Sequence, residues 1–421
     1  MSSSFKMVAK TLLGLEDLLV KELEDIGAQK VKPMRRAISF EGDDELMYKA
    51  NYQLRTAIRI LKPLHEFKFT NVEDFYDKLY NFEWAKYMDL NDTFAIDKVV
   101  YSSKFDNTQF AVYKFKDAIC DYFVRNYRRR PSVNTQAPNV KFNLHVSEDR
   151  CIVSLDSSLD SLHKRGYRFS EGLAPINEVL AAAMLKFAGW DGKQTLIDPM
   201  CGSGTILIEA IMLARNIPAG YYRDTYGFQS WKNFDKELWE KVKREADQRI
   251  KPIEATIIGA DINREVLRAV RVNLRRSKLH MNVKTLHTSF EDFNNTFDSG
   301  LVITNPPYGE RIGAGEIAEI YNMIGSKLKN DFQGFDAWII TAPKENFKHI
   351  GLRPSEKITL LNGQLEGQLQ HFELYEGSKK YNQDTPKEKG KLIEEKPRKR
   401  QEVRKEEQPN KKFNVSRFLK K

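Results

Sequence analysis

The chain is poor in cysteine, with only Cys120, Cys151 and Cys201 among 421 residues. They lie 31 and 50 positions apart, a spacing that fits neither a zinc site nor a disulfide framework, so reduced, partly buried thiols are expected. Long apolar runs are also missing: none approaches the roughly 18–20 residues a membrane-spanning helix needs, and the mean hydropathy is -0.56. The first twenty residues reach Glu16 and Asp17 before any extended apolar core, unlike a secretory leader. These absences predict a soluble, cytoplasmic protein with no membrane partner. The seven histidines are scattered without ligand spacing, and no metal is expected. Neither a Gly-Lys-Ser/Thr phosphate loop nor a full Gly-x-Gly-x-x-Gly fingerprint is present, and no solenoid repeat is evident.

An excess of positive charge is present, with 68 Lys/Arg against 58 Asp/Glu, but it sits at one end. Residues 377–421 hold 16 basic and 7 acidic side chains, leaving 52 against 51 for residues 1–376. The body must therefore meet any polyanion through local patches rather than bulk charge. The terminal 45 residues, with few apolar groups before Phe413, are expected to be disordered. They serve either as a solubilising extension or as a basic arm that adds nucleic-acid affinity.

Residues 5–66 alternate short strand-like runs with amphipathic helices. Leu15, Leu18, Leu19, Leu23 and Ile26 recur at helical spacing before Gly27. Strands are expected at 37–40 and 56–64 around a second helix near 43–53, a small α+β unit. A second unit, 67–156, reads as strand 93–101, a long helix 107–130, and strands 140–146 and 151–155. Its helix carries Val112, Phe115, Ile119 and Tyr122 on one side and ends in Arg125, Arg128, Arg129 and Arg130, which reads as the strongest basic patch of the body. Cations at a helix C-terminus are favoured by the dipole alone; phosphate contact, with Tyr122 and Tyr127 for stacking, is the functional reading.

After a polar connector, 157–171, helices alternate with apolar strands, the signature of a parallel sheet flanked by helices. Seven strands are expected at 195–198, 256–261, 283–287, 300–305, 336–341, 356–361 and 369–375, the last two antiparallel. The first ends in Asp198-Pro199-Met200-Cys201-Gly202-Ser203-Gly204-Thr205, followed at once by the apolar helical run 206–214. Glycines at a strand-to-helix turn let a ligand approach the backbone, and a helix N-terminus presents unpaired N–H groups. The turn reads as a cofactor seat, although a plain tight turn explains the same glycines. The second strand ends in Asp261-Ile262-Asn263, where a carboxylate can accept from ribose hydroxyls or cap the next helix, with Asn263 the better cap.

The most specific element is Asn305-Pro306-Pro307-Tyr308 at the end of the fourth strand. Consecutive prolines remove N–H donors and lock the backbone, so nearby carbonyls become rigid acceptors. Asn305 adds a side-chain carbonyl. Together they can hold a planar exocyclic amino group by its hydrogens, and Tyr308 offers a ring for stacking.

Asp198 to Thr205, Asp261 and Asn305 to Tyr308 resemble the motifs of class I S-adenosylmethionine-dependent methyltransferases that modify amino nitrogens. Adding Lys164-Arg165-Gly166-Tyr167-Arg168, Ala174-Pro175-Ile176-Asn177-Glu178 and Gly309-Glu310-Arg311, residues 1 to about 376 are similar to the THUMP-domain guanine-N2 methyltransferases of large-subunit ribosomal RNA. The resemblance implies an α/β fold: a ferredoxin-like region at 1–66, a THUMP RNA-binding domain at 67–156, and a Rossmann-like seven-stranded methyltransferase domain with its connector at 157–376. The basic tail, 377–421, lies outside it. The implied cofactor is S-adenosyl-L-methionine, held by Asp198, Met200, Cys201, Gly202, Ser203, Gly204, Thr205, Asp261, Ile262 and Asn305. Ser289 stands where such enzymes often carry an acid near the adenine, which leaves Glu291 and Asp292 as candidates. The implied catalytic set is Asn305, Pro306, Pro307 and Tyr308, and the RNA contacts are Arg125, Arg128, Arg129, Arg130, Lys164 and Arg165.

The expected reaction is methylation of a guanine N2 amino group in 23S-type ribosomal RNA. The Asn-Pro-Pro-Tyr pocket accommodates any planar amino group, so adenine N6 and a protein glutamine amide stay open. A non-enzymatic alternative is an RNA-binding ribosome-assembly factor with a vestigial cofactor site.

Overall fold

The computed structural model describes residues 4–168, 175–308, 314–362 and 365–376. The tail expected to be disordered lies outside the described residues, as do Ala174 and Gly309 to Arg311 of the motifs above.

The chain begins with β1 (Phe5–Thr11), α1 (Glu16–Asp25), β2 (Gln29–Met34), β3 (Ala37–Gly42), α2 (Asp44–Gln53) and β4 (Ala57–Lys68). It continues through α3 (Val72–Tyr80), β5 (Thr93–Tyr101), α4 (Thr108–Tyr127), β6 (Ser132–Val133), β7 (Val140–Ser147) and β8 (Arg150–Asp156). Asp43, Asn71 and Asn107 cap α2, α3 and α4 by accepting from the backbone N–H of Leu46, Asp74 and Gln109. Phe115, Ile119 and Tyr122 of α4 face the core, which removes Tyr122 from the stacking role; Tyr127 stays exposed.

These eight strands form one sheet, in the order β2-β3-β1-β4-β8-β7-β5-β6. The first half of β4 pairs with β1 and the second half with β8. The expected strand end at Leu64 falls short, because the register shifts between Pro63 and His65 and the strand runs on. A bulge is where a proline is tolerated in a sheet.

The second half holds α5 (Glu178–Phe187), β9 (Leu196–Asp198), α6 (Thr205–Ala214), α7 (Lys236–Asp247), β10 (Ile257–Asp261), α8 (Arg264–Arg276) and β11 (Val283–His287). It ends with β12 (Gly300–Thr304), α9 (Ala314–Asp331), β13 (Phe335–Thr341), β14 (Glu356–Asn362) and β15 (Leu365–Glu373). The seven expected strands are present within a few residues and order as β11-β10-β9-β12-β13-β15-β14. Strands β9 to β13 run parallel, and β14 and β15 pair antiparallel. Every residue of β12 is buried, as expected of a parallel strand covered on both faces. The chain reverses its winding between β9 and β12, so their carboxyl ends form the crevice where open α/β sheets bind ligands.

The polar connector is largely buried over its described residues. Ser157, Ser158, Leu162, Arg165 and Tyr167 are all buried, and Ser158 donates to Asn51 Oδ1 at 2.7 Å while accepting from Ile60 N at 2.9 Å. Between α6 and β10, Tyr226, Phe228, Trp231 and Trp239 pack into the core beneath the first sheet. In the opposite direction, Leu15 packs into the core of the second.

Candidate active site

A cleft of about 610 Å³ opens at the carboxyl ends of β9, β10 and β12. The glycine turn and the Asn-Pro-Pro-Tyr turn face each other across it, both among its lining residues. The neighbouring strands set this opposition, Leu301 and Val302 pairing with Leu196 and Ile197. A side-chain bond reinforces it, Thr304 Oγ1 donating to Asp198 Oδ1 at 2.9 Å.

The glycine turn departs from ordinary backbone at two positions. Gly202 has φ +50° and nothing within 4 Å of where a Cβ would stand, so the space above it is open to a ligand. Gly204 has φ +80°, and a Cβ there would lie 2.9 Å from Val270 of α8; its role is turn geometry and helix packing rather than the cleft lining expected of it. Gly202 N donates to Asp261 Oδ2 at 3.0 Å, and Asn263 N donates to Asp261 Oδ1 at 2.8 Å. These bonds fix the carboxylate, and each oxygen retains a lone pair for a hydroxyl. Asn263 is the cap of α8, accepting from Glu265 N and Val266 N.

Asp198 is buried, and that burial pushes its carboxyl up to about 7 despite the Thr304 and Met200 hydrogen bonds that oppose the shift. A cationic ligand beside it would favour the ionised form. Burial also raises the Cys201 thiol well above its usual value, making this side chain a neutral wall of the cleft. Asn305 Oδ1 is buried and has no hydrogen-bond partner among the described residues, an arrangement that costs free energy unless a ligand donor meets it.

Two expected assignments fail. Glu291 and Asp292 do not line the cleft: they are exposed, Asp292 pairs with Ser289 Oγ at 2.7 Å, and Ser289 and Phe290 form the wall instead. Arg165 cannot meet RNA, because it is 2% exposed. Its guanidinium donates to Leu162 O and Arg55 O and pairs with Glu209, which also accepts from Tyr167. Lys164, Arg129 and Arg130 remain at the surface. Arg128 closes α4 in the left-handed region at φ 60°, and Arg125 stacks over Tyr80 with its guanidinium carbon 4.3 Å from the ring centre.

Arg168, the last residue of the Lys164–Arg168 motif, is a hub that sequence reasoning missed. Its guanidinium donates twice to Glu178 Oε1, at 3.0 and 2.7 Å, and reaches Ser203 Oγ and Thr205 Oγ1 at 3.3 and 3.1 Å. It thereby ties the connector and the start of α5 to the glycine turn. Pro175, Ile176, Ile320 and Met323 complete the apolar wall, and no local signal distinguishes the last two from other helix-core residues.

Family models match along the described body: a ferredoxin-like domain at residues 6–61, a THUMP domain at 69–156 and an RMKL-like methyltransferase domain at 165–371. The Synechocystis protein named "Putative RNA methyltransferase slr0064" is 36% identical over 364 residues, spanning 86% of this chain and 95% of that one. The chain belongs to the THUMP-containing, RMKL-like methyltransferase family. The "Ribosomal RNA large subunit methyltransferase K/L" of Syntrophotalea carbinolica is 36% identical over 89% of this chain but only 54% of its own length. The chain thus spans about half the length of the curated K/L relatives it matches. Among solved structures, the one named "SMU.472, a putative methyltransferase complexed with SAH" superposes with TM-score 0.80 at 30% identity, covering 90% of this chain and all of that one. The methyltransferase cleft fits an S-adenosyl cofactor on its own terms: fixed acids at the ends of β9 and β10, open space over Gly202, and an apolar wall. No described helix is long and apolar enough to cross a membrane.

Proposed function

We propose that this chain transfers a methyl group from S-adenosylmethionine to the N2 amino group of a guanine in large-subunit ribosomal RNA. The observation that carries the reading is Asn305, whose buried acceptor, without a partner among the described residues, lies in the cleft beside two prolines and opposite the glycine turn. The relatives named as RNA and ribosomal RNA methyltransferases support RNA as the substrate class.

Asp198, the glycine turn and Asp261 hold the cofactor, which supplies an electrophilic methyl group when bound. Asn305 Oδ1 and the Pro306 carbonyl take the two hydrogens of the amino group and fix its nitrogen in line. Tyr308 forms the aromatic wall for the base. The amino nitrogen becomes cationic and strongly acidic as it gains the methyl group, and it passes one proton to solvent, so no strong base is required. The rate comes mainly from orientation, and a guanine that starts in a helix is first extruded. The THUMP region at 67–156 and the surface cations Arg125, Arg128, Arg129, Arg130 and Lys164 dock the RNA.

The test is incubation with radiolabelled S-adenosylmethionine and ribosomal RNA from cells lacking the protein, followed by nucleoside digestion. Label in N2-methylguanosine is expected. Label in another nucleoside overturns the target, and failure to bind the cofactor overturns the enzymatic reading.

A further inference from the structure

The segment with the larger net positive charge is not the arginine cluster that ends α4. Residues 262–287, which form α8 and β11, hold seven Lys/Arg and one acidic residue, Glu265. The rest of residues 1–376 holds 45 basic against 50 acidic. One edge of the methyltransferase sheet therefore carries the charge that the body as a whole lacks.

The arrangement within α8 is ordered. Arg264, Arg268, Arg271 and Arg275 follow at intervals of four, three and four, which places them within about 60° of one another around a helix of 3.6 residues per turn. All four are exposed, while Leu267, Val270 and Leu274 on the opposite side are buried. Lys278 and Lys284 extend the row toward β11, the edge strand of the sheet.

Helix stability does not explain this row. Like charges at i,i+3 and i,i+4 repel, and Arg264 at the first turn opposes the helix dipole, which favours anions there. Glu265 pairs with Arg268, and Arg271 donates to Thr285 Oγ1 at 3.0 Å. Among the described residues, Arg264 and Arg275 have no ion pair. The α4 cluster is answered to a similar extent, with Arg130 beside Asp117 and Arg125 bonded to Asn81.

We propose that α8 and β11 form a second RNA-binding surface, an arginine track that grips the phosphate backbone beside the mouth of the active-site cleft. The track starts where the cleft ends: Ile262, 72% exposed, lines the cleft and immediately precedes the cap of α8. A row of four guanidiniums suits the oxygens of successive phosphates. Exposed Ile262, Val272, Met281 and Leu286 lie along the same edge and supply apolar contacts to sugars and bases. This surface rests on the RNA reading above and deepens it, since it holds substrate at the methyltransferase domain itself.

The experiment compares the full chain with the quadruple variant R264Q/R268Q/R271Q/R275Q, using a large-subunit ribosomal RNA transcript over a range of salt. Each neutralised phosphate contributes about 0.7–0.9 to the slope of log affinity against log salt. The variant should lose about 3 from that slope, retain cofactor affinity by calorimetry, and bind RNA at least tenfold more weakly at about 0.15 M salt. The quadruple Arg→Lys variant should recover most of the slope, which a merely misfolded protein would not do. A Gln variant that binds cofactor and keeps the full slope overturns the track while leaving the methylation reading intact. Steep RNA binding lost in the variant, with no labelled nucleoside from the parent chain, supports the track and overturns the methylation reading. A parent that self-associates through this face without RNA, or that binds no RNA at all, overturns the track.

Discussion

At the scale of single residues, the site turns on two buried groups, Asn305 Oδ1 and the Asp198 carboxyl. Asn305 keeps a buried acceptor without a partner among the described residues, so Asn305→Ala removes little from the resting protein. It should lower turnover by at least about 100-fold through loss of orientation, while calorimetry shows nearly unchanged cofactor affinity. Burial pushes the Asp198 carboxyl up to about 7, so it is mostly protonated only below that pH, and a cationic ligand binds its ionised form. Cofactor affinity should therefore rise about tenfold per pH unit toward pH 7 and level off above it; calorimetry between pH 5.5 and 8.5 checks this, and Asp198→Asn should flatten the profile. The sign for stability is opposite. A carboxyl raised from 3.8 to about 7 leaves the ligand-free fold losing stability as pH rises through that window. Asn305 was legible from sequence because two following prolines leave few other purposes for a polar residue at a strand end. Arg165 was misread because its burial depends on Arg55 and Glu209, at 110 and 44 residues' remove. Glu291 and Asp292 misled because the wall is made by Ser289 and Phe290, and which way that loop faces is not a property of its composition.

Between elements, the decisive bonds come from a segment with no regular structure. Arg168 joins the connector to Glu178 at the start of α5 and to the turn that opens α6. Arg168→Gln should cost about 2 kcal/mol, because hydrogen bonds to charged groups are lost in a partly buried site. A lower urea midpoint and a roughly tenfold weaker cofactor affinity are the expected readouts. The strands of the second sheet were legible because buried parallel strands read as short apolar runs between helices. The burial of the connector was not: its serines and Arg165 are polar, and only the tertiary fold supplies Asn51 and the carbonyls of Ile60 and Arg55 that satisfy them. The arginine row of α8 is visible in the sequence once the helix phase is known, but the contrast with the near-neutral body appears only when the charge is placed on the fold.

At the scale of the whole molecule, the two sheets are tied by exchanged anchors. Trp239 of α7 meets Tyr52 and Tyr226 edge-on, with ring centres 5.4 and 5.3 Å apart, and Tyr52 also donates to Asp247 at 2.7 Å. Trp239→Ala should cost about 3–5 kcal/mol. Calorimetry should show one transition shifted downward rather than an isolated loss of either sheet, since the aromatic group belongs to both halves of the chain. β4 carries the same lesson into protein engineering. The ferredoxin-like and THUMP regions look like separable cassettes, yet they share this strand as a common beam. A cut near residue 66 would sever it from β8 partway along and leave raw, sticky edges. A graft of the RNA-docking region onto another enzyme should therefore carry residues 5–156 as one piece.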